Sequence, residues 1–148
     1  GRFPDMVRQA LRTAVSGCPG PVHLQFRGNE GQVDQGECEY EAITEDTFAS
    51  VPPFRPAPDD ASVQKAVDIL QKAARPIIVS GGGVKASGAG AELVALAERL
   101  AIPVVTSLNG KDTFPSTHPL SGGVVGTYSR ESANRAVNEA DLVCFIGT

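Results

Sequence analysis

The 148-residue sequence predicts a doubly wound α/β fold, a Rossmann-like parallel sheet with helices on both faces. Three observations lead there. Continuous apolar runs stand at "PIIVS" (76–80), "IPVVT" (102–106) and "DLVCFIG" (141–147). Runs without polar alternation belong to strands covered on both faces, as parallel strands under helices are. Apolar residues at helical spacing separate these runs. The first two runs and the helix between them span about 30 residues, the size of a right-handed parallel crossover.

Along the chain, Val7, Ala10, Leu11 and Ala14 repeat with helical spacing after Pro4, and "SGCPGP" ends that helix near Ser16. "PVHLQF" alternates and is β-prone, so a strand is expected at Val22 to Phe26. From Arg27 the texture changes to acidic, glycine-bearing sequence, and "VPPFRPAPDD" then packs four prolines into a short run. Proline fixes φ and removes donors, so an extended, semi-rigid linker is expected. The organisation read here is residues 1–27 as the end of one domain, 28–60 as linker and 61–148 as the first part of another. Val63, Ala66, Val67, Leu70 and Ala74 mark a helix at 62–74, N-capped by Asp60 or Ser62. A single helix is expected from Ala86 to Leu100, and another on Ala133, Ala136, Val137 and Ala140.

Composition narrows the function classes. A net charge of -4 with interspersed signs offers no basic footprint for nucleic acid. No apolar run approaches the roughly 20 residues that span a bilayer, so a soluble, cytoplasmic protein without a membrane partner is expected. Cys18, Cys38 and Cys144 are odd in number and widely spaced, which supports neither a disulfide framework nor a zinc site. Glu37, Glu39, Glu41, Glu45 and Asp46 are expected to be solvated linker carboxylates rather than metal ligands.

The sharpest motif is "SGGGVKASG". Glycines between a strand and a helix let a ligand approach the backbone, and a helix start offers free N–H groups to phosphate. "GGGVKA" satisfies the loose G-x-G-x-x-G/A pattern with Ala86 last. A P-loop is excluded, because Ala89 and Gly90 stand where lysine and a hydroxyl are required after Gly83 and Gly88. A classical NAD site is disfavoured, because the second strand ends in Thr106 and Ser107 rather than an acid. The competing reading is that the glycines only make a tight turn and permit close packing. His23 and His118 lack partners at a catalytic spacing, whereas Lys111, Asp112, Arg130 and Arg135 are candidates to face a cleft or a phosphate.

"RPIIVSGGG", "IPVVTSLNGKDTFP", "HPLSGGVVG" and "ADLVCFIGT" together resemble the central domain of thiamine diphosphate-dependent enzymes of the acetolactate synthase group. "PGPVHLQF" resembles the end of the pyrimidine-binding domain that precedes it. The resemblance implies a longer parent, a homo-oligomeric (dimeric or tetrameric) lyase or transferase that makes or breaks a carbon–carbon bond in small-molecule 2-oxo acids. Thiamine diphosphate and magnesium sit in other domains of such a parent. The activating glutamate and the G-D-G motif of the family do not occur here, so no catalytic residue is transferred and the chain alone is expected to be inactive. Some relatives hold FAD or ADP in the central domain. The cofactor-facing positions would then be Gly81, Gly82, Gly83, Ser107, Leu108, Gly123 and Val124, with Gly147 as the opposite wall beside Thr148. A 3-2-1-4 strand order would place 141–147 against 76–80. The family's sheet continues further, which implies a truncated sheet and a fragment whose strand 142–146 has a free edge. The alternatives are an autonomous nucleotide- or flavin-binding module without catalysis, and a purely structural scaffold.

Overall fold

The computed structural model describes residues 2–25 and 44–148. These form two compact units, which divide between Pro56 and Ala57.

In the first unit, helix α1 (Phe3–Val15) starts on Pro4, whose missing N–H costs nothing in the first turn. Arg12 leaves its last turn to meet Glu45, with Nε donating to Oε2 at 2.9 Å. That hydrogen bond holds the Glu45 carboxyl below its ordinary range. The Arg12 guanidinium also lies 5.7 Å over the Phe48 ring, and Phe48 meets Phe54 edge-on at 5.6 Å. The turn carrying Phe48 is a 3-10 helix, Asp46–Ala49. The strand expected at 22–26 is not found at 22–25, which pair with no other strand among the described residues. Propensity alone makes no strand without a ladder partner. Phe26, Glu37, Cys38, Glu39 and Glu41 lie outside the described residues.

The second unit carries the sheet. Helix α2 (Asp60–Lys72) is N-capped by Asp59 rather than by Asp60 or Ser62. The extended backbone of Asp59 lets its carboxylate accept from the Ser62 N–H at 2.9 Å, and hydrogen bonding from the Ser62 side chain first and this backbone N–H second lowers the Asp59 pKa. Strands β1 (Pro76–Ser80), β2 (Val104–Thr106), β3 (Ser121–Val124) and β4 (Leu142–Ile146) make one parallel sheet in the order β3-β2-β1-β4. β4 thus lies beside β1, where a 3-2-1-4 order would put it.

Period-2 alternation sorts the β1 side chains onto the two faces. Ile78 packs with Val84, Leu93, Ala97, Ile102, Val104 and Phe114, whereas Ile77 and Val79 pack with Val105 and Ala133. Each fully buried aliphatic side chain in these clusters contributes roughly 1.5–3 kcal/mol of burial. Helix α4 (Gly90–Leu100) covers the first face with Leu93 and Ala97, and α5 (Glu131–Glu139) covers the second with Ala133. Cys144 packs against the first cluster, and burial pushes its thiol pKa up.

Two elements differ from expectation. The helix expected at 86–100 is two helices, α3 (Gly82–Ser87) and α4, because Gly88 takes a left-handed conformation (φ 69°) that ends α3. Strand β3 was not expected, since "SGGV" lacks a β-branched run. Its glycine has a packing reason: a Cβ on Gly122 would lie 2.7 Å from Val105 Cγ1. The register accordingly skips Gly122, pairing Val104 with Ser121 and Val105 with Gly123.

At the opposite end of the sheet Asp141 ties β4 to β1. Its carboxylate accepts from the Ala74 N–H at 2.7 Å and the Arg75 N–H at 2.8 Å, which lowers its pKa. A depressed carboxylate stabilises the fold above its unfolded pKa of about 3.9 and loses that contribution as pH falls through the folded value. Asp141→Ala is therefore expected to lower the Tm at pH 7, with the gap from the parent chain narrowing between pH 4 and pH 2. Thermal melts across that range check it, and a gap independent of pH would contradict the clamp.

Candidate functional site

The carboxyl ends of β1 and β4 meet where the strand order reverses, the place at which open α/β sheets form ligand crevices. Here the chain's own backbone occupies that place. The Gly81 N–H donates to the Ile146 C=O at 2.9 Å, and the Gly83 N–H donates to the Gly147 C=O at 2.7 Å. A Cβ on Gly83 would stand 2.8 Å from Gly147 Cα, and one on Gly147, itself left-handed at φ 63°, would stand 2.6 Å from the Val84 nitrogen. Gly81 is equally tight against Gly147. Gly82 is different, for its Cβ would make ordinary contact with the Asn109 C=O at 3.6 Å.

After β2 the chain turns over this contact. The Ser107 N–H donates to the Ser80 C=O at 2.8 Å, and Ser107 Oγ accepts from the Gly110 N–H at 3.1 Å, closing the 3-10 turn Leu108–Gly110. A Cβ on Gly110 would lie 2.5 Å from the Ser80 C=O. Beneath the turn, Thr113 Oγ1 donates to the Gly110 C=O at 2.6 Å. Because that uses its single proton, Ser80 Oγ is the donor in the 2.6 Å contact between the two buried hydroxyls. Leu108 is exposed above this framework.

Gly123 and Val124 belong to a second group. They line a cleft of about 350 Å³ at the exit of β2 and β3, together with Thr106, Lys111, Phe114, Ser116, Ser121, Tyr128, Ser129 and Arg130. Two cations, four hydroxyl-bearing Ser and Thr residues and two aromatic side chains thus share one concavity. The Arg130 side chain lies along Gly123, where a Cβ would be 3.1 Å from its Cδ. Asp112 turns away and pairs with Lys85 at 3.1 Å. Residues 107–111 join the two groups, since a Cβ on Gly82 would reach the Asn109 C=O at 3.6 Å and Lys111 lines the cleft.

His118 braces the loop behind the cleft. Its Nδ1 accepts from the Leu120 N–H at 3.2 Å, so Nε2 carries the proton and donates to Glu98 Oε1 at 3.1 Å. Its ring meets Phe114 edge-on at 4.9 Å. His23 is exposed, and Arg135 is exposed on α5. Among the described residues no three His, Cys, Asp or Glu side chains converge to hold a metal ion, and no helix is long and apolar enough to cross a membrane.

The sequence pointed to Lys111, Gly123, Val124 and Arg130 but not to Thr106, Phe114, Ser116, Ser121, Tyr128 and Ser129 as cleft walls. Nothing in a single Ser or Tyr signals a cleft. The available clue was position, since these residues lie within β2 or β3 or in the loops that follow them.

Residues 63–148 match the model of the family described as thiamine pyrophosphate enzyme, central domain. The "Probable acetolactate synthase large subunit" of Methanocaldococcus jannaschii is 38% identical over 147 residues, 98% of this chain and 24% of that protein. The "Glyoxylate carboligase" of Escherichia coli O157:H7 is 34% identical over 145 residues, 97% of this chain and 23% of that protein. The X-ray structure of a "putative thiamin diphosphate-dependent enzyme" from Mycobacterium smegmatis superposes with a TM-score of 0.71 at 25% identity, covering 99% of this chain and 27% of that one. The chain thus spans about a quarter of the length of the curated relatives it matches.

Substitutions separate the glycines. Gly82→Ala is expected to fold with stability unchanged or raised by up to about 1 kcal/mol, the usual cost of helical glycine against alanine. Gly83→Ala and Gly147→Ala drive a methyl into backbone and should each cost about 1–3 kcal/mol, with left-handed strain of about 1–2 kcal/mol more at 147. Urea denaturation of the three variants checks this, and equal losses at 82 and 147 would contradict it.

Proposed function

This chain belongs to the thiamine pyrophosphate enzyme family, and on that premise we propose that it is the central-domain portion of a longer, acetolactate synthase-like enzyme acting on 2-oxo acids. Two of its relatives bear names of carbon–carbon bond-forming enzymes, and both are matched over nearly the whole of this chain. The described residues offer no converging carboxylates for magnesium, and the sequence has no G-D-G motif to hold a pyrophosphate through it. Thiamine diphosphate and magnesium are therefore assigned to other parts of the parent, and so are the bond-forming steps and the 2-oxo acid contacts. This domain's share is architectural, spacing its neighbours within a homo-oligomer.

To that role we add a phosphate-bearing ligand, ADP or FAD. The observation that carries it is the cleft that Lys111 and Arg130 line together with Thr106, Ser116, Ser121 and Ser129. Cations beside hydroxyl donors, at the carboxyl ends of parallel strands, are what a diphosphate requires. In this reading the phosphates lie between Lys111 and Arg130, and Gly123 and Val124 give their backbone to the ligand. The rest of the ligand runs over Ser107 and the exposed Leu108 toward Gly82, with Gly81, Gly83 and Gly147 as its floor.

The chain is expected to melt at higher temperature in the presence of ADP or FAD. Lys111→Ala and Arg130→Ala should each weaken ADP binding about 10-fold or more, because hydrogen bonds to charged groups are worth about 1.5–3 kcal/mol. Calorimetric titration checks the affinities, and no response to either ligand at millimolar concentration would sink the nucleotide reading. For the family role, the parent enzyme is expected to condense 2-oxo acids only with thiamine diphosphate and magnesium supplied. Activity that survives chelation and dialysis would contradict that assignment.

A further inference from the structure

The turn Gly126–Ser129, which joins β3 to α5 and carries Tyr128 and Ser129 to the cleft, has little regular hydrogen bonding of its own. Its two ends are fixed: the Val125 N–H donates to the Thr106 C=O at 2.9 Å, and the Arg130 N–H donates to the Val124 C=O at 3.1 Å. Between them one side chain gathers the turn. Asn134 Oδ1 accepts from the Gly126 N–H at 3.0 Å, while Asn134 Nδ2 donates to the Gly126 C=O at 3.1 Å and to Ser129 Oγ at 2.9 Å. Ser129 Oγ in turn donates to the Gly126 C=O. The amide orientation is forced, because a flipped Asn134 would point a donor at the Gly126 N–H.

Asn134 is well founded for this task. It sits in the first turn of α5, its own N–H donates to the Arg130 C=O at 3.2 Å, and its neighbour Ala133 is fully buried against β1 and β2. The turn it grips would otherwise be loose, since Gly126 holds a φ of 122° that few residues besides glycine visit. A binding wall that is formed only part of the time weakens apparent affinity by the fraction of molecules that present it.

We infer that Asn134 is a positioning residue for the cleft: it holds the Gly126–Ser129 turn in the form that lays Ser129 and Arg130 along the ligand's path. The inference rests on the nucleotide reading of the cleft for its functional half, and on the turn geometry alone for its structural half.

Amide hydrogen exchange on the 15N-labelled chain separates the two halves. Asn134→Ala is expected to speed exchange of the Gly126 amide about five- to tenfold, the loss of one hydrogen bond, while Ile78 and Val104 in the sheet keep their rates. Its ADP dissociation constant is expected to rise about 10-fold. Asn134→Asp keeps the acceptor for the Gly126 N–H but sets its second carboxylate oxygen against the Gly126 C=O, so its Gly126 exchange at pH 7 is expected to fall between the unsubstituted chain and the alanine variant, a partial rescue that general destabilisation does not give; it also serves if the alanine variant fails to fold. Gly126 exchange left unchanged in Asn134→Ala, or in Asn134→Asp where the alanine variant does not fold, would overturn the holding role. Faster exchange with unchanged ADP affinity would overturn the functional role. If the parent chain binds neither ADP nor FAD, the nucleotide reading falls, and the exchange arm still decides whether Asn134 holds the turn.

Discussion

Close approach of two backbones, at the exits of β1 and β4, is the constraint on which the site end of this sheet depends. Gly81 and Gly83 take Gly147 so near that no side chain fits between, and two N–H···O=C bonds stitch the contact. Because the contact is backbone to backbone, it cannot yield by a rotamer change. Gly110 extends it on the β2 side, where it rests on Ser80 and Gly81. The Ser80–Thr113–Gly110 hydroxyl chain then holds the β2 exit loop at a fixed height. The glycine triplet that most suggests a phosphate loop thus serves first as a seam. Only Gly82, of the three, keeps room at its Cα for a methyl group.

That seam explains why the polar concavity lies one strand over. With the exits of β1 and β4 closed on each other, the loops after β2 and β3 make the walls, and those loops carry Lys111 and Arg130. Asp112, the nearest carboxylate in sequence to Lys111, is drawn off by Lys85 on α3. The arrangement leaves Lys111 and Arg130 sharing the cleft with serine and threonine residues and, among the described residues, with no carboxylate.

Much of the fold was legible because parallel strands buried on both faces leave an unmistakable composition. β1 and β2 bear this out, whereas β4 (Leu142–Ile146), apolar throughout, is only half-buried at the end of the sheet with Phe145 65% exposed, so its composition overstated its burial; the helices between the strands keep their 3.6-residue period. β3 was not legible, because Gly122 answers to Val105 across the ladder and Gly123 to the Arg130 side chain rather than to any local rule. The break between α3 and α4 rests on Gly88 adopting positive φ, which an amphipathic pattern hides. Asn134 and Asp141 act through hydrogen bonds to backbone 8 and 66–67 residues away, and spacing along a chain says nothing about such partners. At the site, charge and position after a strand singled out Lys111 and Arg130, whereas Tyr128 and the serines acquire meaning only from the concavity.

The most direct test of the functional account is an ADP titration of the 15N-labelled chain followed by amide chemical shifts. Graded shifts at Gly82, at Ser107 to Lys111 and at Gly123 to Arg130, with the strand amino ends unmoved, are the predicted result. Shifts confined to the opposite end of the sheet, around Ala74 to Pro76 and Ala101 to Ile102, or none at all, would contradict it.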